Sequence, residues 1–462
     1  MQSYKEFLDL SVGFPQEGFK VDDDELWFHE IDLMQLIETY GTPLRFTFIP
    51  IVSAKIKQAK KLFNDAIRNN NYAGSYTYCY CTKSSHFRHV LEEVLDQDVH
   101  LETSSAFDMP MIESLFKDGT VSKEITVICN GFKREVYKEY IVDMLHDGFK
   151  NIIPVIDNKE EFNYYASELE VPCRMGIRVA TEERPDFEFY TSRLGIRADE
   201  LIDFWKSKIK KNRKFKVTML HFFVDSGIRD TPYYWGELEK YVNLYCEFKK
   251  VNDKLDSLDI GGGLPFKNSL AFEYDYPYMV NEIVATITKI CAKHKVPVPN
   301  LITEFGSFTV AESSGLLFKV LGRKQQNDRE KWLMIDGSII TMLPDIWGIN
   351  QRFILLPVNN WESPYEQVVI GGITCDSQDF YSQEAHINAV YMPKTRKQLY
   401  VGFFHTGAYQ ENLGGVGGLH HCLIPTPKHV LISRHRNGTL QYRTLNEEQN
   451  SHRMLELLGY EP

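Results

Sequence analysis

The sequence predicts an α/β fold: a (β/α)8 TIM-like barrel with a second, β-rich domain. Three observations predict it. Eight short apolar runs, rich in β-branched and aromatic residues, recur through the middle of the chain, as expected of strands buried on both faces. Amphipathic helical patterns separate most of them, the alternation that builds parallel βαβ units. Beyond about Thr309 the helical patterns give way to strand-like runs punctuated by Gly and Pro.

Taken in order, the opening segment to about Pro50 holds one short helix, Ile31–Tyr40, and a strand, Pro43–Phe48, that can join the β-rich domain. The barrel strands are Tyr76–Cys81, Val99–Glu102, Ile125–Cys129, Asn151–Ile156, Arg174–Val179, Val217–Phe222, Ser257–Ile260 and Leu301–Glu304. Helical patterns between them include Ser85–Leu95, Glu135–Leu145, Ala198–Lys210, Tyr234–Asn252 and Tyr278–His294. Strands of the second domain are Gly315–Leu321, Lys331–Ile335, Val368–Gly371, Gln398–Phe404 and His429–Arg436. Residues 50–310 are therefore expected to form the barrel, and 1–49 plus 311–462 the β-rich domain.

Composition narrows the function. The 462 residues are 43% apolar and 25% charged, enough to bury a large core and unlike a disordered chain. A net charge of −11 disfavours nucleic acid, which requires a basic face. Met1–Gly18 lacks a basic segment followed by an apolar run, and no stretch approaches the ~18 apolar residues of a membrane span. The eight cysteines are scattered, and Cys79 and Cys81 are too close for a C-x-x-C motif. They read as reduced thiols of a cytoplasmic protein.

Barrel enzymes do chemistry at the C-terminal ends of their strands. There the sequence places Lys83 after strand 1, Glu102 at the end of strand 2, Phe223 to Ser226 after strand 6, Gly261, Gly262 and Gly263 after strand 7, and Glu304 at the end of strand 8. A lone lysine after a strand is ordinarily solvated, and three glycines are ordinarily a tight turn. Together they carry more. A lysine at a barrel mouth forms a Schiff base with a carbonyl cofactor. Glycine amides after strand 7 suit a phosphate, and an acid at strand 8 pairs with a pyridinium nitrogen. These are the parts of a pyridoxal 5'-phosphate (PLP) site.

Four ordered motifs resemble the fold-type III PLP decarboxylases, which include the ornithine, diaminopimelate and biosynthetic arginine decarboxylases. They are Tyr80-Cys81-Thr82-Lys83, Leu258-Asp259-Ile260-Gly261-Gly262-Gly263-Leu264, Thr374-Cys375-Asp376-Ser377 and Gly407-Ala408-Tyr409. Two stretches, Leu343 to Gln351 (LPDIWGINQ) and Gly407 to Gly414 (GAYQENLG), resemble the arginine branch. The resemblance implies that Lys83 carries PLP, Glu304 holds the ring-nitrogen proton, and Glu102 supports the lysine. It implies that Ser226, the three glycines and Tyr409 hold the phosphate. It further implies that Cys375 returns a proton to the substrate and Asp376 binds its distal cation, both across the interface of a homodimer with shared active sites. The implied reaction is decarboxylation of L-arginine to agmatine in polyamine biosynthesis. The alternatives are ornithine, lysine, diaminopimelate or carboxynorspermidine as substrate, or a non-catalytic regulatory relative.

The sequence departs from the family at two points. Phe223 stands where a histidine usually stacks on the cofactor ring; phenylalanine can stack but cannot donate a hydrogen bond. His221, on the same side by strand alternation, is an alternative partner. Ser307 stands where an arginine usually meets the phosphate, a loss of ~1.5–3 kcal/mol unless another group replaces it. His420-His421-Cys422 has no second ligand cluster at metal-binding spacing in sequence, so no metal is expected.

Overall fold

A computed structural model describes residues 2–181, 192–384, 388–414, 418 and 421–460. The chain divides into two units: Val52–Pro265 with Tyr274–Thr309, and Met1–Ile51 with Phe266–Glu273 and Val310–Pro462.

The first unit is built on eight parallel strands: β1 (Tyr76–Cys81), β2 (His100–Thr103), β3 (Val127–Cys129), β4 (Ile152–Ile156), β5 (Cys173–Arg178), β6 (Phe215–His221), β7 (Ser257–Asp259) and β8 (Asn300–Phe305). They close in the order β1 through β8, with β8 pairing back to β1. All five residues of β4 are buried, as a strand covered on both faces requires. Cys79, Ile128, Ile153, Val155, Met219 and Ile302 pack together as one buried cluster. Gly176 makes room for it, because a Cβ there would stand 2.6 Å from the Met219 methyl. Outside the strands, Phe63 of helix Pro50–Asn69 stacks on Tyr76 at 4.4 Å between ring centres. The expected strands appear with ends shifted by one or two residues. Helix Ala198–Phe204 passes into a π-helical turn, Trp205–Ile209, rather than continuing as a single α-helix to Lys210.

The second unit is a ten-stranded sheet with short helices. Strand Leu44–Phe48, from the start of the chain, lies between Ser314–Gln325, to which it is antiparallel, and Lys428–Arg434, to which it is parallel. The opening segment therefore belongs to the β-rich fold. It contains more than the one helix and one strand expected: helix Tyr4–Val12 and a three-stranded sheet of Phe19–Asp22, Glu25–Phe28 and Ile31–Asp32. The strands are two to four residues long, too short to show alternation. Their hairpin turns on Asp23 and Asp24, both at positive φ, with no glycine to mark it. The helix carries a capping box, in which Ser3 and Glu6 each accept from the other's backbone N–H. Among the described residues no helix is long and apolar enough to cross a membrane.

Candidate active site

Lys83 lies in a 3-10 turn, Thr82–Ser84, directly after β1. The turn is clamped against the end of β8, since any Cβ at Gly306 would run into Ser84. Lys83 Nζ donates to Oε2 of Glu102 at 2.9 Å and approaches Sγ of Cys81 at 2.8 Å. The pair is asymmetric: the lysine side chain is 42% exposed and the glutamate 1%. The amine therefore faces the barrel mouth while its counter-charge is fixed beneath it.

From Glu102 a polar chain crosses the barrel. Asn130, immediately after β3, donates from Nδ2 to Glu102 Oε1 at 3.1 Å and to Glu304 Oε1 at 2.6 Å. His221 Nε2 stands 3.2 Å from Glu304 Oε2. Asp259, at the end of β7, accepts from the Gly261 amide at 2.8 Å. Burial works to raise the Glu304 pKa. The charge and hydrogen bond of His221, the charge of Lys83 and a hydrogen bond with Asp259 outweigh it and hold Glu304 down to about 2. Asp259 moves the other way: burial, then the neighbouring Glu304 charge, push its carboxyl well above the ordinary range. Of two adjacent buried acids, one is kept ionised and the other protonated.

The glycine turn is required by packing. Gly261 and Gly263 adopt positive φ. A Cβ on Gly261 would stand 2.8 Å from Phe222 O, on Gly262 2.5 Å from Glu304 O, and on Gly263 2.8 Å from Gly227 Cα. Phe223 is half-buried, and its ring edge would be 3.1 Å from that Gly261 Cβ. Its carbonyl accepts from Thr181 Oγ1. His221, the other aromatic on that side of the strand, is paired with Glu304. Ser307 opens the short helical turn Ser307–Val310.

Buried polar atoms here that lack a protein partner among the described residues include Ser226 Oγ, His221 Nδ1, Asn130 Oδ1, Asp259 Oδ2 and Ser84 Oγ. An unmet buried polar group costs ~1–3 kcal/mol, and a polar ligand relieves it. Lys83 at the mouth, Glu304 held anionic, a glycine turn and an unpartnered Ser226 hydroxyl fit a phosphorylated pyridine aldehyde.

Cys375 and Asp376 lie in the other unit, on a turn after strand Tyr365–Gly371. Buried Asp379 anchors that turn, accepting from Thr374 N at 3.0 Å, Thr374 Oγ1 at 2.6 Å and Ile339 N at 2.6 Å. Asp376 borders a cavity of about 260 Å³ also lined by Ile340, Thr341, Trp347, Gln378 and His421. Tyr409 has φ +68°. Beside it Gln410 donates from Nε2 to Asp345 Oδ2 at 2.7 Å and accepts from Asp345 N at 3.2 Å. The two stretches that resemble the arginine branch are thus bonded to each other. Of the histidine pair, His420 lies outside the described residues. Asn130 was not singled out from sequence; its position directly after a barrel strand was the available signal. The sequence marks Asp259 only as part of the glycine motif.

Residues 52–311, more than half of the chain, match the family model of the pyridoxal-dependent decarboxylases, pyridoxal binding domain. Among curated relatives, a biosynthetic arginine decarboxylase of Prochlorococcus marinus (strain MIT 9215) is 22% identical, over 93% of this chain and 85% of that protein. One of Geobacter sp. (strain M21) is 23% identical, over 85% and 81%. The fold is similar to that of the biosynthetic arginine decarboxylase SpeA from Campylobacter jejuni, with a TM-score of 0.79 at 20% identity, covering 100% of this chain and 91% of that one. It is also similar to a diaminopimelate decarboxylase from M. jannaschii in complex with L-lysine, with a TM-score of 0.78 at 18% identity, covering 95% and 97%. The chain therefore belongs to the pyridoxal-dependent decarboxylases, with pyridoxal phosphate as its cofactor.

Proposed function

We propose that the protein decarboxylates L-arginine to agmatine and CO2, a step in polyamine synthesis. The observation that carries the assignment of residues is the Lys83–Glu102–Asn130–Glu304–His221 chain across the barrel mouth. When bound, PLP supplies an electron sink for the carbanion left at Cα by loss of CO2. Lys83 is the amine that would attach it, held at the mouth by Glu102. Glu304, ionised because His221 and Lys83 outweigh its burial, would hold a proton at the ring nitrogen. Ser226, Gly261, Gly262, Gly263 and Tyr409 would hold the phosphate, and Phe223 would cover the ring.

Cys375 would return the proton to Cα. A hydrogen bond with Cys422, then that thiol's charge, push its pKa up, so it carries the proton a donor needs. Asp376 would pair with the guanidinium, a planar cation that a carboxylate meets through two parallel hydrogen bonds. The arginine relatives and the bonded Asp345–Gln410 stretches favour arginine over shorter amines. We further propose a homodimer in which Cys375 and Asp376 serve the partner's barrel. Within this division, residues 50–310 would attach the cofactor, and 1–49 with 311–462 would supply Tyr409 to its phosphate together with the substrate side. Eight unlinked cysteines, six of them buried, support a cytoplasmic location.

The test is CO2 release from a panel of L-arginine, L-ornithine, L-lysine, meso-diaminopimelate and carboxynorspermidine. Arginine should exceed each competitor in kcat/KM by more than about tenfold. Faster turnover of ornithine or diaminopimelate rejects arginine as the substrate.

A further inference from the structure

The Cys375–Asp376 turn is one half of a second cluster. Cys422 and His421, 46 or more residues further on, stand against it in the turn His421–Leu423. Cys422 Sγ is 3.4 Å from Cys375 Sγ, and His421 Nε2 is 3.8 Å from Asp376 Oδ2. One ligand atom from each of Cys375, His421 and Cys422 lies within 4.8 Å of the other two, and all three residues are exposed. The turn presenting them is unusual: Cys422 and Leu423 both have positive φ, at 54° and 53°. For non-glycine residues this costs ~1–2 kcal/mol each, a strain that clusters at functional sites.

Two thiols and an imidazole are a zinc ligand set, and thiolates select thiophilic ions over magnesium or calcium. The spacing separates a metal from a disulfide. Two sulfurs bound tetrahedrally at ~2.3 Å to one ion stand ~3.8 Å apart. A disulfide requires ~2.05 Å. From the observed 3.4 Å, the sulfurs reach the first arrangement by parting a few tenths of an ångström and the second only by closing more than three times as far. The sequence offered no second ligand cluster beside His421-Cys422; the fold supplies it from 47 residues away.

We propose that Cys375, His421 and Cys422 form a binding site for a thiophilic divalent cation of the zinc class, with Asp376 beside its fourth position. On binding, two S–H bonds break and two metal–sulfur bonds form. His421 adds a neutral nitrogen lone pair, two protons leave to solvent, and no group is oxidised or reduced. One consequence rests on the proposed function: a metal that takes the Cys375 thiolate removes the group that returns the proton, so occupancy switches decarboxylation off reversibly.

The test uses the full chain with its cofactor, kept reduced by a phosphine, and cobalt(II) as the probe. One Co2+ per chain should bind, with a thiolate-to-cobalt charge-transfer band in the difference spectrum and release of about two protons per ion at neutral pH. Zinc should displace it and bleach the band. Cys422→Ser and His421→Ala should each weaken cobalt binding by more than about tenfold. Cys422→Ser should also lose sensitivity to zinc, its turnover with the ion equalling its turnover without it. A cobalt spectrum without the thiolate band, unchanged affinity in both variants, or a Cys375–Cys422 disulfide persisting in the phosphine overturns the site. Cobalt bound with the thiolate band by a chain that decarboxylates no basic amino acid upholds the site and overturns the enzymatic assignment instead.

Discussion

Glu304 and Asp259 are neighbouring buried acids with opposite protonation, and His221 decides which is which. His221 and Lys83 favour the charge on Glu304, whereas Asp259 has burial and the Glu304 charge against it. The sign for stability follows. A carboxyl whose pKa is raised on folding keeps its proton in the native state while the unfolded chain loses it above pH ~3.9, so stability falls as pH rises. Asp259→Asn keeps an oxygen for the Gly261 amide and removes that loss. Its Tm should gain on the wild type as pH rises above ~3.9, as read by calorimetry at a series of pH values; a parallel pair of curves would show Asp259 ionised in the fold. Lys83→Ala should lose the visible absorbance of the bound cofactor, with turnover at background. Retained absorbance would move the attachment to another amine.

At the scale of elements, the chemistry stands on strand ends. β1, β2, β6, β7 and β8 were legible because strands covered on both faces read as unbroken apolar runs, and the residue after each run is then fixed in space. That is why Lys83, Glu102, the glycines and Glu304 could be placed from sequence alone. Asn130 was missed although its strand was legible, because a lone amide carries no spacing signal. Its role depends on which strands face each other across the barrel. The apposition of Cys375 with Cys422 was invisible for a related reason: it joins two turns 47 residues apart in the chain. The glycine turn gives a test at this scale. Gly262→Ala forces a methyl against Glu304 O, which should cost about 1–3 kcal/mol as overpacking and weaken cofactor retention. Urea denaturation and dialysis against buffer without cofactor read the two effects. Wild-type values for both would show that the turn relaxes freely.

At the scale of the whole molecule, the proposed shared site predicts complementation. Lys83→Ala and Cys375→Ala chains should each be inactive, the second with its cofactor spectrum intact. Equal amounts, mixed and allowed to exchange subunits, should recover about a quarter of wild-type activity, because half the dimers are mixed and each holds one intact site. No recovery, with exchange verified by mass, would place both residues in the site of a single chain.

The strand Leu44–Phe48 has a further consequence, in the timing of synthesis. Its two neighbours, Ser314–Gln325 and Lys428–Arg434, leave the ribosome after the whole barrel sequence has been made. The earliest strand of the sheet waits with both edges open while the eight-stranded unit closes from contacts nearer in sequence. A nascent chain halted before residue 428 would therefore hold a finished barrel and a sticky ribbon still bare along the edge that Lys428–Arg434 covers, the state in which chaperones are needed most.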